Sequence, residues 1–312
     1  MSDWMGNGLQ GWGERLLAQR FETLLIDEPS PQVLRVTINR EEASNAFNTQ
    51  CGHDLFDVFH PLEIERNRFR CVILTGTGRK AFCAGGDLKE RKLLSEHEWV
   101  LQHEFFERTF RHVLNCPIPV IAAVNGAAYG GGLELMLQCD FAYASREARF
   151  ALTEVSLGIM PGGGGTQTLP RIVGERRAKE LILAAKPFTA EQALAWGVVN
   201  ELCEPDELMP RTLQIAQRIA GNAPLSVRQA KHSIHHGLQM DLNSAMHFEI
   251  EAYQRMVKSE ACSPSTRSAN PCSRGDDGDR FRPTGRRTAA CRADGRRDRP
   301  ERRRAGCRPD PG

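Results

Sequence analysis

The chain has 312 residues, of which 40% are hydrophobic and 7% aromatic, and this composition excludes fibrous and fully disordered proteins. The formal net charge of +2 is unevenly divided, because residues 261–312 carry a net charge of +7 and residues 1–260 a net charge of −5. No segment approaches the roughly 20 apolar residues of a membrane span, and the N-terminus lacks the apolar stretch of a signal peptide, so we expect a cytoplasmic protein without a membrane partner.

The predicted elements begin with two strands that follow an N-terminal extension over residues 1–20. The strands TLLIDE and VLRVTIN lie within residues 22–39 and are separated by a turn that contains two prolines. Helical periodicity follows over residues 49–67, and then comes CVILTG, an apolar segment typical of a buried strand. We therefore expect a β-ribbon, a helix and a buried strand at the start of the fold.

Strands and helices continue to alternate through the middle of the chain. A long helix is predicted over residues 95–114, followed by the buried strand PVIAAVNG, a glycine-rich turn and a short helix. FAYAS and ARFALTE are predicted strands, and the chain is then mostly helical to residue 258. Apolar strands that alternate with helices are covered on both faces, so we predict an α/β fold with a core over residues 21–200 and a helical C-terminal region over residues 201–260.

The last 52 residues, 261–312, contain no Leu, Ile, Val, Met, Trp or Tyr and include 14 Arg. A segment with so little apolar surface cannot offset its chain entropy, so we predict a disordered tail. One hypothesis is that the tail is a frame-shifted reading of GC-rich DNA, since permitted codons for residues 261–277 can also encode LLAFNEKRQPLFKGR, which has the pattern of an ordinary C-terminus. The alternative is an Arg-rich arm that binds nucleic acid through phosphate contacts. Sequencing of the gene distinguishes the two.

The ten cysteines follow no disulfide or zinc-binding pattern. Four lie in the tail, and the other six are scattered singly without a CxxC pair. Single thiols in apolar segments are typical of a reducing compartment. His232, His235 and His236 have a helical spacing that could bind a metal, but a solvated helix face is the simpler interpretation, so we predict no metal.

Three glycine-rich segments each follow apolar sequence and precede a predicted helix: FCAGGD at 82–87, YGGGLE at 129–134 and MPGGGGTQ at 160–167. Glycines at such turns let backbone N–H groups approach a ligand, and a helix N-terminus adds positive potential there. The segments lack the Lys of a phosphate-binding loop and a GxGxxG pattern after a strand, which disfavours nucleotide binding. The chain also has no GxSxG or HExxH motif, so we expect neither a hydrolase triad nor a zinc protease.

Two carboxylates, Glu134 and Glu154, each lie close to one of these glycine turns. The N–H groups of Gly86 and Gly131 could form an oxyanion hole for a developing enolate, while the two carboxylates could move protons at neighbouring carbons. Taken one motif at a time, tight turns and ordinary helix-end charges explain the same residues. The functional interpretation therefore depends on all the motifs together.

Together, these segments resemble the enoyl-CoA hydratase/isomerase, or crotonase, superfamily over roughly residues 21–258. The resemblance is carried by VTINREEASNAF, VILTGTGRKAFCAGGDLKE, PVIAAVNGAAYGGGLELMLQCDFAYAS, ARFALTEVSLGIMPGGGGTQTLPRIVG and AEQALAWGVVNEL, in the order and spacing of the family. It implies a ββα spiral core with a helical C-terminal region, assembly into homotrimers or homohexamers, and acyl-CoA thioesters as substrates. Coenzyme A is then part of the substrate, and no separate cofactor is expected.

The resemblance also implies roles for individual residues. The N–H groups of Gly86 and Gly131 would bind the thioester oxygen, Glu134 and Glu154 match the two catalytic glutamates of the hydratases, and the N–H of Gly162 would orient the reacting water. The turn that would hold the adenine of coenzyme A comprises Ala84, Gly85, Gly86, Asp87 and Leu88. The phosphates of coenzyme A would contact Lys80 and Lys89. For the two lysines, solvated surface charges are an equally good interpretation.

The presence of both glutamates favours a hydratase, because isomerases of the family often retain only the second. Two alternatives stay open: an enoyl-CoA isomerase that uses Glu154 alone, and an RNA-binding protein that uses the basic tail, although nucleic acid is the less favoured partner. Gly86 stands where hydratases often have Ala, a change that keeps the N–H. The resemblance stops near Lys258. In the family the C-terminal helix and its basic end often help close the coenzyme A site, so the altered tail is expected to affect coenzyme A affinity and assembly. Acyl-chain specificity is expected to lie in residues 89–110.

Overall fold

A β-ribbon forms one edge of the larger sheet, and a short helix precedes it in the chain. The computed structural model describes residues 11–257. Helix α1 (Trp12–Ala18) lies within the predicted N-terminal extension, and Trp12 packs edge-to-face on Phe69 with 6.2 Å between ring centroids. Strands β1 (Leu24–Ser30) and β2 (Val33–Ile38) are antiparallel, with Leu24 opposite Ile38, so the predicted ribbon is confirmed.

The remaining elements alternate as the sequence predicts. The other strands are β3 (Cys71–Gly76), β4 (Ala81–Cys83), β5 (Val120–Val124), β6 (Ala127–Tyr129), β7 (Phe141–Ser145), β8 (Arg149–Ala151), β9 (Phe188–Thr189) and β10 (Glu201–Cys203). The other helices are α2 (Thr49–Leu62), α3 (Leu88–Arg91), α4 (Glu96–Leu114), α5 (Gly131–Leu137), α6 (Gly165–Val173), α7 (Glu175–Leu183), α8 (Ala190–Ala195), α9 (Leu208–Ala220), α10 (Pro224–Gly237) and α11 (Leu242–Val257).

The strands form two sheets that the chain visits in turn. The larger sheet has the order β1-β2-β3-β5-β7-β10 and is parallel from β2 to β10. The smaller sheet has the order β4-β6-β8-β9, with β9 antiparallel to β8. Each of β3, β5 and β7 is followed by one strand of the smaller sheet and then by a helix. This repeated ββα order is the predicted crotonase-like spiral.

Alternate side chains of the larger sheet enter two separate cores, as the apolar strand sequences require. On β3, Val72 and Leu74 belong to the main core between the sheets and helices, whereas Cys71 and Ile73 face a second cluster. Helix α9 covers this second cluster with Leu208 and Ala216 among its buried residues. The prediction of an α/β fold with strands buried on both faces is therefore confirmed.

Two helix and strand boundaries differ from the sequence prediction. Helix α2 ends at Leu62, not near Asn67, and beyond it the N–H of Asn67 bonds to the side chain of Glu65 at 2.9 Å. Such a local side-chain bond competes with helical hydrogen bonding. The strand predicted over ARFALTE is β8 alone, because the chain turns into a short 3-10 helix (Glu154–Leu157). This turn determines where the Glu154 carboxylate lies.

Two asparagine side chains fix the chain around the start of β4. The buried Asn45 amide donates to the carbonyl of Ala81 at 2.7 Å, and the Asn125 amide donates to the same carbonyl at 3.1 Å. The amide of Asn45 also donates to the carbonyl of Thr77 at 3.0 Å. Buried polar groups satisfied in this way specify one arrangement of their segments. They hold the start of β4 beside the segment that carries Asn45 and Phe47.

Some expectations fall on residues that the structure does not describe. The Arg-rich tail at 261–312, its frame-shift hypothesis and the nucleic-acid interpretation all lie outside residues 11–257, as do the first ten residues of the predicted extension. Within residues 11–257, no helix has both the length and the apolar character needed to cross a bilayer. In that same part of the chain, no group of three His, Cys, Asp or Glu side chains is arranged to hold a metal ion.

Candidate active site

A cavity of about 590 Å³ opens between the three glycine-rich segments, the 3-10 helix at Glu154 and helix α4. The sequence predicts the three segments separately, and the spiral places them around one space. The cavity walls are formed by Phe47, Ala84, Gly85, Gly86, Leu88, Arg91, Trp99, His103, Phe106, Glu107, Phe110, Gly130, Gly131, Glu134, Thr153, Glu154, Leu157, Ile159, Met160, Pro161, Gly162 and Gly163.

The first glycine turn, after β4, leaves one backbone donor at the cavity wall. Phe47 and Gly86 form a parallel bridge in which the N–H of Phe47 donates to the carbonyl of Gly85 and the N–H of Asp87 donates to the carbonyl of Phe47, both at 2.9 Å. The N–H of Gly86 takes no part in this bridge. Gly85 has a φ of +93°, a conformation that favours glycine. The turn thus presents the donor predicted at Gly86.

The second glycine turn lies directly against the first. A Cβ on Gly85 would lie 3.1 Å from the backbone nitrogen of Gly131, which begins helix α5. The N–H of a first helical residue has no acceptor within its helix. A Cβ on Gly132 would lie 2.0 Å from the carbonyl oxygen of Cys83, so only glycine lets α5 approach β4 this closely. The two predicted donors, Gly86 and Gly131, are therefore brought to one wall of the cavity.

Glu134 lies one turn into α5 and is held by the third glycine segment. Its side chain is buried, and its Oε1 accepts hydrogen bonds from the N–H groups of Gly163 and Gly165, each at 2.8 Å. Burial raises the pKa of Glu134 to about 7, with a further increase from nearby Glu154, although the two N–H groups act in the opposite direction. The group can therefore both take up and release a proton near neutral pH.

Glu154 faces the same space from the 3-10 helix after β8. Its side chain is buried, and neither carboxylate oxygen has a hydrogen-bond partner among residues 11–257. A Cβ on Gly130 would lie 3.3 Å from Oε1 of Glu154, so this carboxylate sits against the turn that begins α5. Burial raises the pKa of Glu154. Two carboxylates of raised pKa thus lie at the same cavity, Glu154 beside Gly130 and Glu134 beside Gly131.

The third glycine segment is used differently from the sequence prediction in one respect. Gly162 lines the cavity as expected, and a Cβ there would lie 2.4 Å from Cε1 of His103. The N–H groups that hold Glu134, however, belong to Gly163 and Gly165, for which the sequence predicts no role. The glycine run was the only available signal for them, because a sequence does not indicate which N–H of a run points toward which carboxylate.

The residues predicted to bind coenzyme A divide into two groups. Ala84, Gly85 and Leu88 line the cavity, whereas Lys80 and Lys89 are exposed outside it. The Asp87 carboxylate accepts from the N–H of Lys89 at 3.0 Å and pairs with Arg40 at 3.0 Å. Burial opposes its ionisation, but hydrogen bonds from Arg40 and from backbone N–H groups keep the pKa of Asp87 below its ordinary value. Asp87 thus fixes the start of α3.

Arg91 and His103 also reach the cavity, although no motif of the sequence points to either residue. Both lie in the segment 89–110, where acyl specificity was expected. Arg91 is the last residue of α3 and its guanidinium lies against Gly86. In the sequence it stands within LKERK, a charge run that is usually a solvated surface. Arg91 reaches the cavity because α3 folds back across the turn that carries Gly86.

Comparisons with known proteins relate the chain to one family. The sequence model described as enoyl-CoA hydratase/isomerase matches residues 28–268. A short-chain enoyl-CoA hydratase from Clostridium acetobutylicum is 42% identical over 236 residues, which cover 76% of this chain and 90% of that protein. A crotonyl-CoA hydratase from Syntrophomonas wolfei is 38% identical over 233 residues, which cover 75% of this chain and 89% of that protein. The crystal structure of an enoyl-CoA hydratase from Bacillus anthracis has a TM-score of 0.75 and 39% identity, and the match covers 77% of this chain and 92% of that one.

Proposed function

Because the chain belongs to the enoyl-CoA hydratase/isomerase family, we propose that it is an enoyl-CoA hydratase, which adds water across the C2–C3 double bond of a 2-enoyl-CoA thioester. The observation that carries the proposal is the pair of buried carboxylates at one cavity, Glu134 and Glu154, whose pKa values are both raised. An isomerase that moves one proton between two carbons needs only one such group. Relatives named as hydratases add support.

In this proposal the N–H groups of Gly86 and Gly131 bind the thioester oxygen. Addition of water at C3 moves negative charge through C2 onto this oxygen, as an enolate. Fixed donors stabilise that charge more than they stabilise the neutral carbonyl, which lowers the barrier. The two turns that carry the donors lie against each other, since a Cβ on Gly85 would lie 3.1 Å from the backbone nitrogen of Gly131.

Glu134 and Glu154 share the reacting water between them. One carboxylate takes a proton from the water as its oxygen bonds to C3, and the other donates a proton to C2. The N–H groups of Gly163 and Gly165 hold one oxygen of Glu134, which leaves its other oxygen for the water. The N–H of Gly162 is proposed to orient that water. Two interacting carboxylates titrate as a pair, so acid and base are assigned to the pair as a whole.

The test is the loss of conjugated-thioester absorbance when the purified protein is mixed with crotonyl-CoA, with product analysis for 3-hydroxybutyryl-CoA. A protein in which both Glu134 and Glu154 are replaced by Gln serves as the control for contaminating hydratase. Turnover only by the unmodified chain supports the proposal. Conversion of 3-hexenoyl-CoA to 2-hexenoyl-CoA without hydration of crotonyl-CoA would instead identify the isomerase alternative.

Lys80 and Lys89 are proposed to contact the phosphates of coenzyme A. Both side chains are exposed outside the cavity, Lys80 just before β4 and Lys89 in α3 after the turn that carries Gly86. Joint replacement by Ala should raise KM for crotonyl-CoA several-fold and leave kcat nearly unchanged, because charge contacts remote from the reacting carbons act on ground state and transition state alike. The effect should shrink at high salt, which screens exposed charges. A KM equal to that of the unmodified protein would show that both lysines are only surface charges.

A further inference from the structure

Arg91 is a cation held firmly in the wall of the cavity. Helix α3 is fixed at its start by the Asp87 cap, and Glu90 anchors its other side, since the Glu90 carboxylate accepts from the N–H of Thr49 and from the amide of Gln102, each at 2.9 Å. Arg91 follows immediately. Because Asp87 and Glu90 are both held, the Arg91 side chain is directed over Gly86, where its Cζ lies 3.0 Å from the position of a Cβ on that glycine.

The charge of Arg91 has no carboxylate partner within residues 11–257. Its Nε is buried without a hydrogen-bond partner, and the guanidinium forms no ion pair with the carboxylates of that part of the chain. Its Cζ lies over the ring of Trp99, 5.3 Å from the ring centroid, which is a cation–π contact and leaves the charge without an anion. Arg91 is half-buried, and burial of a cation without a paired anion is unfavourable, so such groups are normally paired or complete a site only when a ligand is bound.

The two catalytic carboxylates do not neutralise Arg91, although both act on it through space. One oxygen of Glu134 is engaged by backbone N–H groups, and the oxygens of Glu154 have no hydrogen-bond partner in the described chain. The phosphates of coenzyme A are an unsuitable partner, because the pantetheine arm separates them from the thioester that Gly86 would bind. The anion that fits is therefore part of a short acyl group.

We propose that Arg91 binds a carboxylate on the acyl group, so that the preferred substrate is the coenzyme A monothioester of a short unsaturated dicarboxylic acid. The inference rests on the proposed hydratase function. The guanidinium offers paired donors that match a carboxylate, and the ring of His103 supplies a second polar group that lines the same cavity. The reaction itself is unchanged: the water oxygen bonds to C3, one glutamate takes the proton that this water loses, the other glutamate donates a proton to C2, and the distal carboxylate keeps its charge.

The test compares two five-carbon substrates, pent-2-enedioyl-CoA and pent-2-enoyl-CoA, which differ by one terminal carboxylate. The unmodified protein is expected to have the higher kcat/KM with the dicarboxylic thioester. Arg91→Met should lower the ratio of the two kcat/KM values by about 10-fold to 100-fold, the effect of losing a hydrogen-bonded charged partner. The matched control is Lys92→Met, which removes the next charge of the sequence from an exposed position and should leave the ratio unchanged.

Three results would overturn the inference. The first is a preference of the unmodified protein for pent-2-enoyl-CoA. The second is a ratio that Arg91→Met leaves unchanged while both values fall together, which would assign Arg91 to the enolate common to both substrates. If neither thioester nor crotonyl-CoA is hydrated, the proposed function has failed, and calorimetric binding of the two five-carbon thioesters still tests Arg91. Equal affinities would then be the third contrary result.

Discussion

Glu134→Gln is expected to lower kcat for crotonyl-CoA by about 10²-fold to 10⁴-fold, the usual contribution of a positioned acid or base. The substitution is nearly isosteric, and the Gln carbonyl oxygen can accept the two N–H groups of Gly163 and Gly165 that Oε1 of Glu134 accepts. The cavity should therefore keep its shape while losing the ability to exchange a proton. Glu154→Gln should have a similar effect on hydration.

The same substitution is expected to stabilise the folded protein above neutral pH. The pKa of Glu134 is raised from 4.5 to about 7, so its protonated form favours the folded state. That contribution is complete below pH 4.5 and is lost as the pH rises through 7, and it amounts to about 3 kcal/mol. Glu134→Gln has no charge to desolvate, so urea unfolding at pH 8 should show it to be more stable than the unmodified chain, and at pH 4.5 the two should be similar.

Glu104→Gln provides the control for both measurements. Glu104 lies on the exposed side of α4 and pairs with Arg108 at 3.8 Å, so the same chemical change is made outside the cavity. It should alter neither kcat nor the dependence of stability on pH. A Glu134→Gln protein with full hydration activity would exclude Glu134 from the reaction. One with unchanged pH dependence would show that the Glu134 carboxyl is ionised at little cost in the folded state.

The fold was predictable from the sequence because its strands are short, apolar and separated by glycine turns. CVILTG and PVIAAVNG form β3 and β5, buried on both faces, and the long helix expected over 95–114 is α4. Helix α4 begins as predicted because Ser95 and Glu98 form a reciprocal cap. The predicted end of α2 was wrong because the N–H of Asn67 donates to the Glu65 side chain and not to a helical carbonyl. Apolar periodicity does not report such bonds.

The candidate site was predictable in its parts but not in its internal contacts. Proximity of Gly86, Gly131, Glu134 and Glu154 follows from the spiral, which places successive turns side by side. The partners of Glu134 and the position of Arg91 at the cavity do not follow, since both depend on side-chain directions within turns. LKERK is a run of charges after one Leu and has no apolar periodicity. An Arg that covers a glycine turn therefore has the same sequence pattern as an Arg in solvent.

Assembly into trimers or hexamers stays a prediction. Helices α10 and α11 carry exposed apolar side chains, among them Ile234, Leu238, Met246, Ile250 and Tyr253. Exposed apolar surface of this kind marks an interaction face. Sedimentation of the full chain measures the oligomeric state, and a monomer would contradict the expectation drawn from the family resemblance.

Gly131→Pro is expected to lower kcat for crotonyl-CoA by about 10²-fold to 10³-fold relative to Gly131→Ala, the typical effect of removing one oxyanion donor. Residue 131 is the first of α5, a position that accepts proline because its N–H has no helical acceptor. Gly131 does not have a positive φ, and the preceding Gly130, at φ 52° and ψ −130°, is outside the helical region that proline disfavours. Proline therefore removes the donor with little effect on α5.

Alanine at the same position is the matched comparison because both substitutions add the same Cβ. That atom would lie 3.1 Å from Cζ of Phe47, so any loss of stability from this contact is common to the two proteins. The proline ring also occupies space beside the thioester, and simple obstruction would raise KM, whereas loss of the donor lowers kcat. Equal kcat values for the two variants would mean that the N–H of Gly131 does not bind the enolate oxygen. A lower kcat for proline alone, with similar unfolding midpoints, would assign the rate effect to that single hydrogen bond.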